Sequence, residues 1–209
     1  MKTPTVLVTG SVEREVDPDL FVLTGRVTVR APDSGAANAA LAQRFTSLDH
    51  AAMALGADGI ALRRGSIYSY GEHGRARRWI AARELSVTCQ DTSRAAEVAG
   101  ALGRVPDVAV EGPYWRLSPT NPAYADVQAD AVREARVRAE RYAEAIGRQL
   151  GELVELRDGG GSMPAHFAAA RSLSAYSTED AGLESMDMTP VPQTVHASVE
   201  ARWYLVLPA

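Results

Sequence analysis

Apolar and polar residues alternate through the first two extended stretches of the chain. In TVLVTGSVEREV, residues 5–16, Val6, Val8, Gly10, Val12 and Val16 fall on one side, and Arg14 interrupts the series. In FVLTGRVTVR, residues 21–30, Phe21, Leu23, Gly25, Val27 and Val29 form a second such row. A two-residue period marks a strand with one buried face. Between the two lies Asp17-Pro18-Asp19-Leu20, a good turn, because proline pre-sets φ and aspartate side chains bond nearby backbone. A hairpin closed there sets Val16 against Phe21, Val12 against Gly25 and Val8 against Val29, so that both apolar faces coincide.

After Pro32-Asp33 the period changes. In SGAANAALAQRFTSLDHAAMALG, Ala40, Leu41, Phe45, Leu48, Ala52 and Leu55 fall at helical spacing. Asp33 or Ser34 supplies an N-cap, and Gly56 a stop. A second hairpin follows, 59–70 with 75–89, around Gly71-Glu72-His73-Gly74, and then a short helix at 92–103 and a strand at 107–117. Asn121 and Pro122 open a long helix over about 123–147, roughly 35 Å at 1.5 Å per residue. In it alanine recurs at 131, 135, 139 and 143, while Arg and Glu fill the other faces. Residues four apart share one helical ridge, so this one is smooth enough for the backbone to approach a sheet closely. The helix stops at Gly147, and after Gly151 a strand spans 152–157.

Residues 159–192 break the pattern. Rich in Gly, Ser, Pro and Met, they exceed the roughly 12–15 residues usual for a loop inside a compact domain. They read as a mobile or functional excursion, with a short helix near Ala165 to Leu173. The chain closes on a long half-buried strand in which Val195, Ala197, Val199, Ala201, Trp203, Leu205 and Leu207 alternate with mostly polar partners. The order is ββα-ββα-βαββ. Hairpins instead of βαβ repeats imply antiparallel or mixed sheets with helices packed on one face, an α+β fold. The whole of 1–209 reads as a single domain, divisible into two intertwined α+β subdomains, about 1–32 plus 104–209, and 33–103.

Composition narrows the function classes. The net charge of −4 gives no global electrostatic case for nucleic acid or an anionic membrane. Lys2 is the only lysine, a skew towards arginine that lowers the weight of any arginine cluster. A single cysteine, Cys89, excludes an intramolecular disulfide and a cysteine-built zinc site. No run approaches the roughly 18 apolar residues of a membrane helix. The opening MKTPTVLVTG lacks the apolar stretch of a signal peptide, so the chain as given reads as cytoplasmic.

Four places, taken in order, resemble the SIMPL (DUF541) family, whose bacterial members include periplasmic and outer-membrane immunogenic proteins. Gly10-x-Val12 followed by Pro18-Asp19 resembles the family's opening glycine strand and PD turn. Tyr68-x-Tyr70, then Trp79-x-Ala81 and Leu85-x-Val87, resembles its aromatic hairpin, with Arg78-Trp79 where Gly-Tyr is usual. AVREARVRAERYAEAIGRQLGELVEL resembles its alanine-ridge and LG block, and Val195 to Leu205 its closing strand after a proline-containing segment. The resemblance implies a domain that self-assembles into large oligomers. It carries over no catalytic residue, and it would allow a periplasmic or secreted location for a trimmed N-terminus.

Candidate chemistry is sparse. Arg63, Arg64, Arg75, Arg77, Arg78 and Arg83 surround the second hairpin, interleaved with Tyr68, Tyr70 and Trp79. Such a set can stack and neutralise a nucleic acid strand, but the acidic balance favours a solvated or interfacial face with arginine laid over aromatic rings. His50, His73, His166 and His196 are scattered, and none has metal-ligand spacing. Gly159-Gly160-Gly161-Ser162 lacks the lysine of a phosphate loop. Cys89 shares strand parity with Leu85 and Val87 and reads as a buried thiol. Met163, Met186 and Met188 sit in the long loop, where a plain surface role is favoured over a partner-binding one. No catalytic, cofactor-binding or metal residue is assigned, and no cofactor is expected. The leading expectation is a non-enzymatic homo-oligomeric scaffold or interaction protein, its protein partner unknown, without nucleic acid or a membrane span. The alternative is a small-molecule or peptide binder using the 159–192 loop as a lid. An enzyme ranks third.

Overall fold

The computed structural model describes residues 3–72, 78–160, 183 and 186–208. Among them, seven strands and three α-helices run in the order ββα-ββα-βαββ. The strands are β1 (Thr5–Val16), β2 (Leu20–Ala31), β3 (Ile60–Glu72), β4 (Arg78–Cys89), β5 (Val108–Arg116), β6 (Gln149–Asp158) and β7 (Gln193–Val206). The helices are α1 (Ser34–Met53), α2 (Ala95–Gly103), entered through a 3-10 turn at Thr92–Arg94, and α3 (Ala123–Ala145). All strand pairs are antiparallel. The fold is α+β, built as two compact units that divide at Asp17/Pro18, Ser118/Pro119 and Val191/Pro192.

One unit holds a three-stranded sheet, order β1-β7-β6, with α3 packed against it. β7 is central and pairs with β1 along its length, from Thr5 opposite Tyr204 to Val16 opposite Gln193. The expected alanine ridge is the contact line: Ala131, Ala135, Ala139 and Ala143 are buried. Beneath it lie Val8 and Gly10 of β1 and the odd-numbered residues Val195 to Leu205 of β7. The helix ends on Gly147, at φ +67, where few side chains are comfortable. The N–H of Gly147 donates to the Glu144 carbonyl (2.9 Å) and that of Arg148 to the Ala143 carbonyl (2.8 Å). This pair of bonds satisfies carbonyls the helix would leave open.

The other unit holds a four-stranded sheet, order β3-β4-β2-β5, with α1 and α2 on one face. Its core joins Phe21, Leu23 and Val27 of β2, Leu85, Val87 and Cys89 of β4, Leu41, Phe45 and Leu48 of α1, and Val98 and Leu102 of α2. Phe21 meets Trp115 of β5 edge to face, ring centroids 5.6 Å apart. The carboxylate of Asp33 caps α1 by accepting from the Ala36 N–H (2.8 Å).

Two expectations are corrected. β1 and β2 do not form a hairpin: β1 pairs with β7, whereas β2 lies between β4 and β5 in the other sheet. Coincident apolar faces cannot choose between partners, because every half-buried strand offers the same two-residue period. The Pro18-Asp19 step has a different task, since Asp19 accepts from the N–H (2.5 Å) and hydroxyl (2.7 Å) of Ser118, just beyond β5. The subdomain limits move accordingly: β2 and β5 belong with residues 33–103, so the divisions fall near 17 and 118 and not near 32 and 103. The helix expected near Ala165 to Leu173 lies outside the described residues.

Candidate functional site

The aromatic and basic residues of the second hairpin do not converge. β3 and β4 pair as expected, with Glu72 opposite Arg78, and a bulge between Arg64 and Ile67. Arg64 is held by Asp49 of α1 (2.7 Å). The Arg83 guanidinium lies 4.2 Å from the Phe45 ring centroid, and its Nε–H donates to the Gly65 carbonyl (3.1 Å). Trp79 packs against the core beneath α1 and α2. Tyr68 and Tyr70 alternate in register with these and are exposed, opposite Ala82 and Ile80. Arg64, Arg83 and Trp79 therefore serve the helix-covered side of the sheet, and the two tyrosines the open side. Arg75, Arg77 and His73 lie outside the described residues.

The remaining candidates are equally dispersed. His50 is exposed on α1. Cys89 is buried, its Sγ 3.5 Å from the Asp91 carbonyl. Met188 packs against the core, and Met186 lines a shallow open concavity of about 410 Å³ between Thr92–Ala96 and Asp187–Pro190. The acidic groups near it are satisfied locally. Asp91 accepts from the hydroxyl (2.6 Å) and N–H (3.0 Å) of Ser93, which hold its carboxyl below the usual carboxylate range. The Arg94 guanidinium, bonded to Glu97 (2.8 Å), is raised by that bond, and the Glu97 carboxyl is lowered by it. The Gly159 N–H donates to the Ser198 carbonyl (2.8 Å), continuing the β6–β7 ladder. Gly161, Ser162, Met163 and His166 lie outside the described residues. Among the described residues no cluster of His, Cys, Asp and Glu has the geometry to hold a metal. No helix among the described residues is long and apolar enough to cross a membrane.

Sequence reasoning missed a Ser–His contact. Ser11 of β1 and His196 of β7 meet on the sheet face away from α3, Oγ to Nε2 at 3.0 Å. Both are exposed. A hydroxyl-imidazole contact alone lacks the enclosure and oxyanion donors that acyl chemistry needs.

The two edges of the three-stranded sheet differ more informatively. Along β1, side chains of α3 reach over the strand: Asp130 pairs with Arg14, Glu134 accepts from the Ser11 N–H (3.2 Å), and Arg138 donates to the Thr9 carbonyl (2.8 Å). These three positions, four residues apart, form the row beside the alanine ridge. They occupy backbone groups that would otherwise template another strand. The sequence signal was Arg14, the one charged residue on the apolar side of β1. Along β6, by contrast, Leu153, Val154 and Leu156 are 50%, 42% and 48% exposed. Its outer face carries a charge network in which Glu155 meets Arg157 (2.7 Å) and Arg202 (3.7 Å), and Arg157 meets Glu200 (3.8 Å).

A family model described as SIMPL, protein of unknown function (DUF541), matches residues 6–203, from the start of β1 to near the end of β7. No curated protein matches the chain.

Proposed function

The chain belongs to the SIMPL family, and from that premise we propose that it is a non-enzymatic, homo-oligomeric scaffold or interaction protein. The observation that carries this reading is the exposed apolar edge of β6, on a sheet whose opposite edge is covered by α3. A bare edge strand with exposed leucine and valine is a site for pairing with another chain. Charged residues elsewhere are committed to structure: Arg64 to Asp49, Arg26 to Glu84, Arg94 to Glu97. A small-molecule reading would want a deep, mostly apolar pocket, and the concavity beside α2 is shallow and open. Size exclusion with light scattering at micromolar concentration tests the proposal. A mass above the 22.3 kDa of one chain is expected, and a monomer throughout the concentration range would refute it.

A further inference from the structure

We propose that β6 pairs antiparallel with β6 of a second copy about a two-fold axis at Leu156; this deepens, and rests on, the homo-oligomer reading above. In an antiparallel ladder, alternate residues turn their N–H and C=O towards a given neighbour. The Gly159 N–H donates to Ser198 of β7, and the register runs without interruption from Asp158 opposite Val199 to Glu155 opposite Arg202. Arg157 and Glu155 thus share the inward phase of Gly159. Leu156 and Asp158 turn their backbone groups away from β7, to the free edge. Among the described residues no side chain bonds those of Leu156, whereas on β1 the corresponding outward groups of Ser11 and Thr9 are taken by Glu134 and Arg138.

A two-fold axis between antiparallel strands passes through either a hydrogen-bonded or a non-hydrogen-bonded pair; in the first kind the residue on the axis turns its backbone outward and exchanges both bonds with its own copy. Leu156 meets that condition. With Leu156 opposite the partner's Leu156, Glu155 stands opposite the partner's Arg157, and Arg157 opposite the partner's Glu155. The register is self-complementary in charge on one face and joins two half-exposed leucines on the other. Arg157, 62% exposed, has the freedom to reach across. β6 has register irregularities of its own against β7, between Leu150 and Leu153 and between Leu153 and Glu155, and the axis falls in its regular run from Glu155 to Asp158; of the other edges, β5 carries Pro113, which has no N–H to offer, and β3 a bulge between Arg64 and Ile67.

The test uses the full chain. Cys89 is buried, so an introduced thiol is the accessible one. Paired residues in this geometry have Cα atoms about 5.5 Å apart, within the disulfide range. Leu156→Cys, treated with diamide as the acceptor of two electrons and two protons, is expected to give a covalent dimer. Leu7→Cys, on the covered β1 edge, is expected to remain uncrosslinked. Leu156→Arg should lower the light-scattering mass while keeping the wild-type far-UV circular dichroism, with a melting temperature that falls as far as loss of the partner requires. Should wild type be oligomeric while Leu156→Cys fails to crosslink and Leu156→Arg keeps the full mass, the β6 pairing is wrong and the homo-oligomer reading survives. A monomeric wild type would overturn both.

Discussion

A Cβ placed on Gly10 of β1 would stand 2.7 Å from the Cβ of Ala135 on α3. It would also lie 2.1 Å from the Ala131 carbonyl oxygen and 2.6 Å from the Ala135 nitrogen. Strand and helix meet here backbone to backbone, and the missing side chain at Gly10 is the counterpart of the small ones on the ridge. Gly10→Ala must lift the helix, because the nearest obstacles are main-chain atoms. Overpacking of this kind costs about 1–3 kcal/mol, occasionally more. Ala135→Leu should cost a similar amount for the same reason. Arg138→Ala should fall near the roughly 0–1 kcal/mol of an exposed pair. Urea denaturation of the three variants beside wild type checks this. A neutral Ala135→Leu with a collapsed midpoint for Arg138→Ala would reverse the assignment of the buried face.

Asp19→Ala should destabilise the chain by about 1–3 kcal/mol, since it removes both the N–H and the hydroxyl bonds that tie the partly buried Ser118 to Asp19. Asp19→Asn, which keeps one acceptor oxygen, should cost less. Equal denaturation midpoints for wild type and Asp19→Ala would show that this tie between the start of β2 and the end of β5 carries no stability.

Much of this fold was legible because its periodicities are strong. The alternation in 5–16, 21–30 and 195–207 located β1, β2 and β7, and the four-residue recurrence of alanine gave the buried line of α3. The partner of β1 was not legible. Val8, Gly10 and Val12 match Val29, Val27 and Gly25 of β2 in parity as well as they match Ala201, Val199 and Ala197 of β7. Proximity in sequence favoured the wrong partner. The roles of Glu134 and Arg138 were half legible. Their i, i+4 pairing is present at 3.3 Å, but their contacts with Ser11 and Thr9 join residues more than a hundred positions apart. The free edge of β6 follows only from knowing that β7 lies on its other side.

The second hairpin should not bind nucleic acid appreciably at physiological salt. Arg64 and Arg83 are engaged by Asp49 and Phe45, on the helix-covered side of the sheet. Phosphate contacts would betray themselves by affinity that falls steeply with salt. A salt-dependent mobility shift of single-stranded DNA or RNA, lost on replacing Arg75 and Arg77 by alanine, would contradict this expectation.

The acid side of the stability profile should depend on Asp91. Its carboxyl is lowered in the folded chain by the Ser93 hydroxyl and N–H. A lowered value contributes stability that is present above the unfolded carboxylate pKa, about 3.9, and is lost as pH falls through the folded value. Asp91→Asn removes that titration, so its melting temperature should decline less steeply than wild type as pH drops below about 4. Parallel profiles would mean that the Ser93 bonds contribute nothing to folding.

Native mass spectrometry of the wild-type chain across a concentration series reads the assembly state itself. Assemblies at multiples of 22.3 kDa are expected, with even-numbered species dominant, because a two-fold β6 contact joins chains in pairs. A spectrum holding the 22.3 kDa species alone at the highest concentration would contradict this.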